Sequence, residues 1–305
     1  MRTWCIAALA LLTGGLTSAA DPTAGLKIGM VSGMFRDVDP DIVQALAKPF
    51  RDLMQKQTGL SGEVEIVDDA MTLAEKLKGN SLNIGVFHGF EFAWAKDYCD
   101  DILPIVTTKP PGGKVQAMLV VNADLGLRTI DDMKSLELLV PRGAKAHSLA
   151  YLAKLQAKHS KNFPKVVVNV KLTSDEALSQ VAAGLIPGAL VDMGALAGYR
   201  LLQPGASRNL LVLEESEEFP PAVVAYRRGQ LSDADVQRIR RGLTTASKTP
   251  SGRILMTLWN LKGFAEPDET YVKSTEEILK IYPAPVPAKR QGGDAILTTK
   301  PKGEK

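Results

Sequence analysis

Short apolar runs alternate with helical segments along the first hundred residues of the chain. Residues 26–31, 64–67 and 83–87 are mostly apolar, with β-branched or aromatic members, a composition typical of buried strands. Asp39 and Asp69 each precede a segment whose apolar residues recur at helical spacing, and aspartate is a preferred helix N-cap. A third predicted helix follows the third run. This repeated strand–helix order predicts a parallel sheet with right-handed crossover connections.

The same alternation resumes after a break rich in proline and glycine at residues 109–113, which we interpret as a crossing between two domains. Residues 214–221 separate two further apolar runs, so we interpret them as the return crossing. Thr173 and Glu176 have the spacing of a helix capping box. The remaining predicted strands are 102–106, 115–121, 137–140, 166–170, 188–192, 210–213 and 222–226, and the remaining predicted helices lie around 130–133, 148–155, 174–183, 232–243, 249–258 and 270–281.

Two crossings divide the chain into two α/β lobes, which predicts a hinged clamshell with a central, mainly parallel sheet flanked by helices in each lobe. We predict that lobe I comprises residues 21–110 and 218–282, and lobe II residues 111–217. Residues 283–305 are dominated by proline, lysine and glycine and offer little to bury, which predicts a disordered tail. The length of 305 residues is ample for two such domains.

Residues 1–20 have the layout of a secretory signal peptide, with one arginine, an apolar run at 5–12 and small residues up to Ala20. The apolar run is too short to span a bilayer. Cleavage after Ala20 would lower the formal net charge from +3 to +2 and would remove Cys5, leaving Cys99 as an unpaired, partly buried and inert thiol. The alternative is a disordered or anchored N-terminus.

Composition narrows the function only slightly. Hydrophobic residues make up 45% of the chain and charged residues 23%, as in ordinary soluble globular proteins. The formal net charge of +3 is small and evenly spread, which argues against nucleic acid as a partner.

Polar residues that follow predicted strands form a candidate site for a small anion. They are Ser32 and Gly33 after the first strand, residues 88–91 after the third, residues 142–148 in the second lobe, and Asp192 at the end of a later strand. Ligands of open α/β sheets bind outside the carboxyl ends of strands, where helix N-termini and basic side chains favour anions. The alternatives are that residues 142–148 only begin a solvated helix, that residues 88–91 decorate an ordinary turn, and that Asp192 caps a helix.

The sequence contains no motif typical of catalysis or metal binding. The three histidines, His88, His147 and His159, show no HExxH spacing, and there is no CxxC pair, phosphate-binding loop, dinucleotide fingerprint or nucleophile elbow. We therefore predict no metal, no cofactor and no enzymatic activity. An acid–base pair of His88 with Glu91 is the alternative that these residues leave open.

Several stretches of the chain together resemble one family. They are residues 29–35, 49–50 with 58–60, 85–94, 181–184 and 191–192. The family is the phosphate/phosphonate-binding periplasmic components of ABC transporters, and the similarity extends over most of residues 26–245. The resemblance implies the type 2 periplasmic-binding fold, in which two lobes close on an oxyanion like a Venus flytrap and present it to a membrane permease.

The resemblance also implies which residues contact the ligand. By position they are Ser32, Gly33, Met34, Phe35, His88, Gly89, Phe90, Glu91, Arg142, Lys145, His147, Ser148, Glu176 and Asp192. In this family, acidic residues near the last two positions contact an amino group on the phosphonate. The segment 142–148 departs from the hydroxyl-rich run that the family usually carries there, so an organic anion or another oxyanion is an alternative ligand.

We therefore predict a monomeric, periplasmic solute-binding protein that captures a phosphonate-, phosphate- or phosphite-like anion. It would deliver this anion to an ABC permease and would contact the membrane only through that partner. Two alternatives use the same fold: an enzyme resembling thiamine-pyrimidine synthases, and a ligand-sensing module for a membrane receptor.

Overall fold

The computed structural model describes residues 25–35 and 40–285. The predicted signal peptide, the predicted Asp39 cap and the tail beyond residue 285 lie outside the described residues. Within these ranges, no helix combines the length and the apolar composition that a bilayer span requires.

Strands and helices alternate through the described chain, as the apolar periodicity predicts. The strands are β1 (Leu26–Val31), β2 (Gly62–Val67), β3 (Ile84–Phe87), β4 (Ile102–Lys109), β5 (Ala117–Asn122), β6 (Glu137–Pro141), β7 (Lys165–Asn169), β8 (Gly188–Asp192), β9 (Leu210–Glu215), β10 (Val223–Arg227) and β11 (Gly263–Ala265). The helices are α1 (Pro40–Thr58), α2 (Ala70–Lys78), α3 (Gly89–Tyr98), α4 (Ala146–His159), α5 (Ser174–Ala182), α6 (Met193–Leu202), α7 (Asp233–Thr244), α8 (Pro250–Leu258) and α9 (Glu269–Ile281). The helix predicted at 130–133 is a single 3-10 turn.

The strands form two mixed sheets. The first has the order β11-β4-β10-β3-β1-β2 and the second has the order β7-β6-β8-β5-β9. β1 pairs in parallel with β2 and β3, and β6 pairs in parallel with β7 and β8. β10 lies antiparallel between β3 and β4, and β5 lies antiparallel between β8 and β9. Since β5 and β10 follow the two crossings directly, each sheet contains a reversed strand where the chain arrives from the other lobe.

The two sheets define two lobes. We call the part that contains the first sheet the first lobe, and the part that contains the second sheet the second lobe. The chain passes between them at residues 110–116 and 216–222, and the Phe219 N–H of one crossing donates to the Val115 carbonyl of the other at 2.8 Å. The two crossings therefore run side by side, while the domain boundaries given above stay a prediction.

Helices cover both faces of the first sheet. On one face, Phe50 and Leu53 of α1 pack in the same buried cluster as Met30 of β1. On the other face, Leu77 of α2 and Phe92 of α3 are buried in a second cluster. Burying one such side chain contributes about 1.5–3 kcal/mol. This packing holds the N-terminus of α3 at the carboxyl end of β3.

Predicted N-caps fix the starts of two helices. The Asp69 carboxylate accepts hydrogen bonds from the N–H groups of Met71 and Thr72, both at 2.9 Å. The Glu176 carboxylate accepts hydrogen bonds from the Thr173 backbone N–H at 2.8 Å and from its hydroxyl at 2.9 Å. The N-cap prediction for α2 and the capping-box prediction for α5 are therefore confirmed.

Candidate ligand-binding cleft

A cavity of about 350 Å³, which we call the cleft, is lined by both lobes and both crossings. His88 and Phe90, directly after β3, come from the first lobe. Lys145 and His147, at the start of α4, come from the second lobe, and Phe219 comes from the return crossing. The cleft thus lies where the ends of strands meet the starts of helices.

Eight of the fourteen residues that the resemblance implies line the cleft. They are Met34, Phe35, His88, Gly89, Phe90, Lys145, His147 and Asp192. The other six, which do not line it, are Ser32, Gly33, Glu91, Arg142, Ser148 and Glu176.

Two of those six, Gly33 and Glu91, lie beside His88, and Ser32 precedes Gly33 in the chain. The Ser32 hydroxyl donates to the Asp68 carbonyl at 2.7 Å. A Cβ atom built on Gly33 would lie 3.7 Å from His88 Nε2. The Glu91 carboxylate accepts a hydrogen bond from the His88 backbone N–H at 3.4 Å. Gly33 and Glu91 therefore lie against the turn that carries His88, whereas the Ser32 side chain is bonded to Asp68.

The remaining three lie around the starts of α4 and α5. The Arg142 side chain is exposed, and its backbone N–H donates to the Leu172 carbonyl at 2.8 Å. Glu176 belongs to the capping box of α5, where hydrogen bonds from Thr173 and a smaller contribution from the Arg142 charge lower the pKa of its carboxyl. Ser148 is completely buried, and its hydroxyl has no partner among the described residues.

The turn from β3 into α3 lies so close to the return crossing that only glycine fits. A Cβ atom on Gly89, the first residue of α3, would lie 2.1 Å from the Pro220 carbonyl oxygen. The His88 ring stacks on Phe90 at 6.1 Å between centroids, and Phe90 meets Phe219 edge-on at 5.6 Å. These contacts fix the turn against the crossing and hold the His88 ring at the cleft.

Both cleft histidines are neutral at pH 7. Desolvation is the largest cause that lowers the pKa of His88 to about 4, and the charges of His147 and Lys145 add to it. Desolvation also lowers the pKa of His147 to about 4, against the opposing charge of Asp192. Nε2 of each ring is buried and has no hydrogen-bond partner among the described residues.

Positive charge reaches the cleft from the start of α4. Lys145 is the N-cap residue of this helix, its side chain is exposed, and it forms no ion pair within the described residues. The N-terminal end of a helix adds partial positive charge from its free N–H groups. Asp192 caps α6 by accepting a hydrogen bond from the Ala195 N–H at 3.1 Å. The capping alternative for Asp192 is therefore confirmed, while its contact with a ligand stays a prediction.

Glu91 has the chemistry of a buried carboxyl group. Desolvation raises its pKa to about 7, and the hydrogen bond from the His88 backbone only partly offsets this. Its carboxyl faces the backbone of His88 and does not line the cleft. This position gives no support to an acid–base pair that would act on a ligand.

Metal-binding clusters and reactive thiols do not add to this picture. The described residues hold no group of three or more His, Cys, Asp or Glu side chains that could bind a metal ion. Cys99 is buried, with 7% of its surface exposed.

Sequence reasoning missed part of the cleft lining. Pro110 and Pro220 of the crossings line it, as do Trp259, Leu261 and Phe264 after α8. The residues of the proline-rich crossings could have been predicted to line the cleft, because a segment that passes between two lobes must border the space between them. The three apolar residues could not, since apolar residues near a helix end predict only core packing.

The family described as the periplasmic phosphonate substrate-binding protein of ABC transporters matches residues 32–271. The chain belongs to this family. The match spans both lobes and includes every residue that lines the cleft. The resemblance predicted from the sequence is therefore confirmed.

Solved structures show the fold that the family implies. PhnD1 from Prochlorococcus marinus, in complex with methylphosphonate, has 14% identity and a TM-score of 0.59, covering 86% of this chain and 98% of its own. A binding protein component of an ABC phosphonate transporter from Pseudomonas aeruginosa has 16% identity and a TM-score of 0.56, over 85% and 87%. XAC2383 from Xanthomonas citri, bound to ATP, has 15% identity and a TM-score of 0.57, over 83% and 94%. No curated protein matches the chain significantly.

These likenesses confirm the two-lobed α/β fold of type 2 binding proteins. Family membership makes this chain a periplasmic substrate-binding component of the phosphonate transporter class. It also implies a small ligand and a permease partner.

Proposed function

We propose that the cleft receives the phosphonate group of a small ligand, with His88, His147 and Lys145 as its main contacts. The loaded protein then delivers the ligand to an ABC permease. The observation that carries this proposal is that His88 and His147 line one cavity from opposite lobes, and that Nε2 of each ring is buried without a hydrogen bond among the described residues.

The two Nε2 atoms are buried without a hydrogen-bond partner among the described residues. A buried polar atom without a hydrogen bond costs about 1–3 kcal/mol, and native structures contain few such atoms. His88 and His147 line the same cleft from the two lobes. A phosphonate group has three oxygens, so a single group can satisfy both rings.

Charge favours an anion in the same place. Since burial keeps both histidines neutral at pH 7, Lys145 supplies the permanent positive charge from the second lobe. A bound anion raises the pKa of a nearby imidazole and so favours its protonated form, which donates from both nitrogens. Hydrogen bonds between charged partners are roughly twice as strong as neutral ones.

The two carboxylates that the resemblance assigns to an amino substituent are already engaged. Glu176 accepts the hydrogen bonds of its own capping box and does not line the cleft. Asp192 lines the cleft, but one of its oxygens caps α6. The proposal therefore rests on the headgroup contacts and not on recognition of an amino group.

A pair of basic residues in one loop tests the proposal. Lys145→Ala should weaken methylphosphonate binding, measured by isothermal titration calorimetry, by about tenfold or more, because it removes a charge-assisted contact. Arg142→Ala is the matched control, since this exposed side chain lies three residues away and does not line the cleft. Unchanged affinity in Lys145→Ala, or no binding of any phosphorus oxyanion to the wild type, would contradict the proposal.

Three further features belong to the proposal: cleavage after Ala20, a monomeric state and the absence of catalysis. The signal-peptide layout of residues 1–20 supports export. Intact mass of the exported protein tests the cleavage site, and light scattering tests the monomer. Recovery of unchanged ligand after prolonged incubation tests the absence of catalysis.

A further inference from the structure

We infer that the ligand is an organophosphonate whose substituent is apolar and about the size of an aromatic ring. This inference rests on the proposed function and adds the class of substituent. It comes from one side of the cleft, which we call the apolar wall. The wall consists of Met34, Phe35, Leu258, Trp259, Leu261 and Phe264.

The apolar wall is a fixed part of the first lobe. Phe35 and Phe264 are buried in the same core cluster as Phe50 of α1, and Trp259 packs against that cluster. The Trp259 ring stacks on Phe50 at 5.3 Å between centroids and meets Phe35 edge-on at 6.4 Å. A wall held by core packing needs no reordering when a ligand binds, which lowers the entropic cost of binding.

Charge is distributed unevenly around the cleft. The fully charged residues that line it are Lys114, Lys145 and Asp192, and all three lie in a crossing or in the second lobe. Lys114 already forms an ion pair with Glu218 at 2.9 Å. The apolar wall contributes no charged side chain. The exposed Asn260, between Trp259 and Leu261, is a polar residue that also lines the cleft. A charged substituent directed towards the wall would lose hydration without gaining a charged partner there.

The size of the cleft points the same way. Methylphosphonate has only five heavy atoms, which occupy roughly 150 Å³ at the volume of liquid water per heavy atom. The cavity of about 350 Å³ is more than twice as large. Cavities that hold drug-sized ligands begin at roughly 300 Å³. A ring attached to the phosphonate group would occupy the remaining space beside the apolar wall.

Calorimetric titration of the wild type with methylphosphonate and with phenylphosphonate tests the inference. The two ligands share the headgroup and differ only in the substituent. We expect phenylphosphonate to bind at least about tenfold more tightly, since burying an aromatic ring on an apolar surface favours binding by that order.

A matched pair of variants tests whether the apolar wall is responsible. Leu258 and Ile254 are one helical turn apart on α8 and are 48% and 59% exposed, but only Leu258 lines the cleft. Leu258→Ser should reduce the affinity for phenylphosphonate several-fold more than the affinity for methylphosphonate. Ile254→Ser should change neither. Because both side chains are exposed, both variants should fold.

The outcomes separate this inference from the proposed function. If methylphosphonate binds as tightly as phenylphosphonate or more tightly, the inference is wrong and the proposed function stands. If phenylphosphonate binds more tightly but Leu258→Ser leaves the ratio of affinities unchanged, the assignment to the apolar wall is wrong. If neither ligand binds, the proposed function fails and the inference fails with it.

Discussion

A single methyl group at Gly89 should weaken both folding and ligand binding. In Gly89→Ala the new Cβ would lie 2.1 Å from the Pro220 carbonyl oxygen and 2.6 Å from the Pro221 carbonyl oxygen. Ordinary contacts begin near 3.4 Å, so α3 and the return crossing must separate by about 1 Å. Both obstacles are backbone atoms, and no rotamer change relieves them. Such overpacking costs about 1–3 kcal/mol of unfolding free energy.

Urea unfolding followed by circular dichroism measures this cost, and calorimetry with methylphosphonate measures the effect on the cleft. Gly198→Ala is the control, because this glycine lies inside α6 and a Cβ atom there meets no heavy atom within 4 Å. The control should stabilise the protein by about 0.5–1 kcal/mol, as alanine normally does in a helix. If Gly89→Ala is as stable as the control and binds like the wild type, the close approach of turn and crossing is not real.

Three further substitutions test separate parts of the structure. The pKa of His147 is near 6.5 in the unfolded chain and about 4 in the folded protein, so this residue reduces the free energy of unfolding as the pH falls from 6.5 towards 4. Between pH 7.5 and pH 5, urea unfolding should show that His147→Gln loses about 2 kcal/mol less stability than the wild type. An identical loss in both proteins would refute the buried neutral ring. Tyr282→Phe removes the hydrogen bond that the Tyr282 hydroxyl donates to Glu217 at 2.6 Å and should cost about 1.5 kcal/mol in the same assay, whereas no change would show that this contact adds nothing. Thr173→Ala removes an N-cap and should lower the free energy of unfolding by about 1 kcal/mol without altering the affinity for methylphosphonate. A loss of affinity would show that the binding site extends to the start of α5.

Local chemistry explains why most helices and strands could be predicted. Asp69 and Thr173 cap the helices that the sequence assigns to them, because an N-cap depends only on neighbouring residues. The short apolar runs became strands because their length and composition suit a buried sheet. By contrast, β11 has only three residues and pairs with a distant strand, so no local pattern indicates it.

Strand direction shows where the local reasoning ends. The strand–helix alternation predicts parallel neighbours, and β1, β2 and β3 follow it. β10 is inserted antiparallel between β3 and β4 only because the chain returns from the second lobe at that point. Such a pairing joins residues more than a hundred positions apart and depends on the path of the crossings.

The candidate site divides in the same way. His88, Lys145 and His147 follow a strand or begin a helix, and that position alone predicted that they would meet at a cleft. Trp259 and Leu261 reach the same cleft from the end of α8, where nothing in the sequence separates a cleft-lining residue from a core residue. Sequence reasoning therefore predicted two of the six residues of the apolar wall, Met34 and Phe35, and missed the four that come from α8 and the chain after it, Leu258, Trp259, Leu261 and Phe264.

The buried Nε2 atoms of His88 and His147 also bear on how the proposed ligand would affect closure of the two lobes. His88 belongs to the first lobe and His147 to the second, so a ligand that bonds both rings binds the arrangement in which the lobes are together more tightly than any other. In the structure, Nε2 of each ring is buried without a hydrogen-bond partner among the described residues, which costs about 1–3 kcal/mol for each atom. Together they amount to roughly 2–6 kcal/mol, and moving a two-state equilibrium from 1:99 to 99:1 takes about 5.5 kcal/mol. If a ligand bonds both histidines, as proposed, the upper end of this range reaches the free energy that such a shift takes.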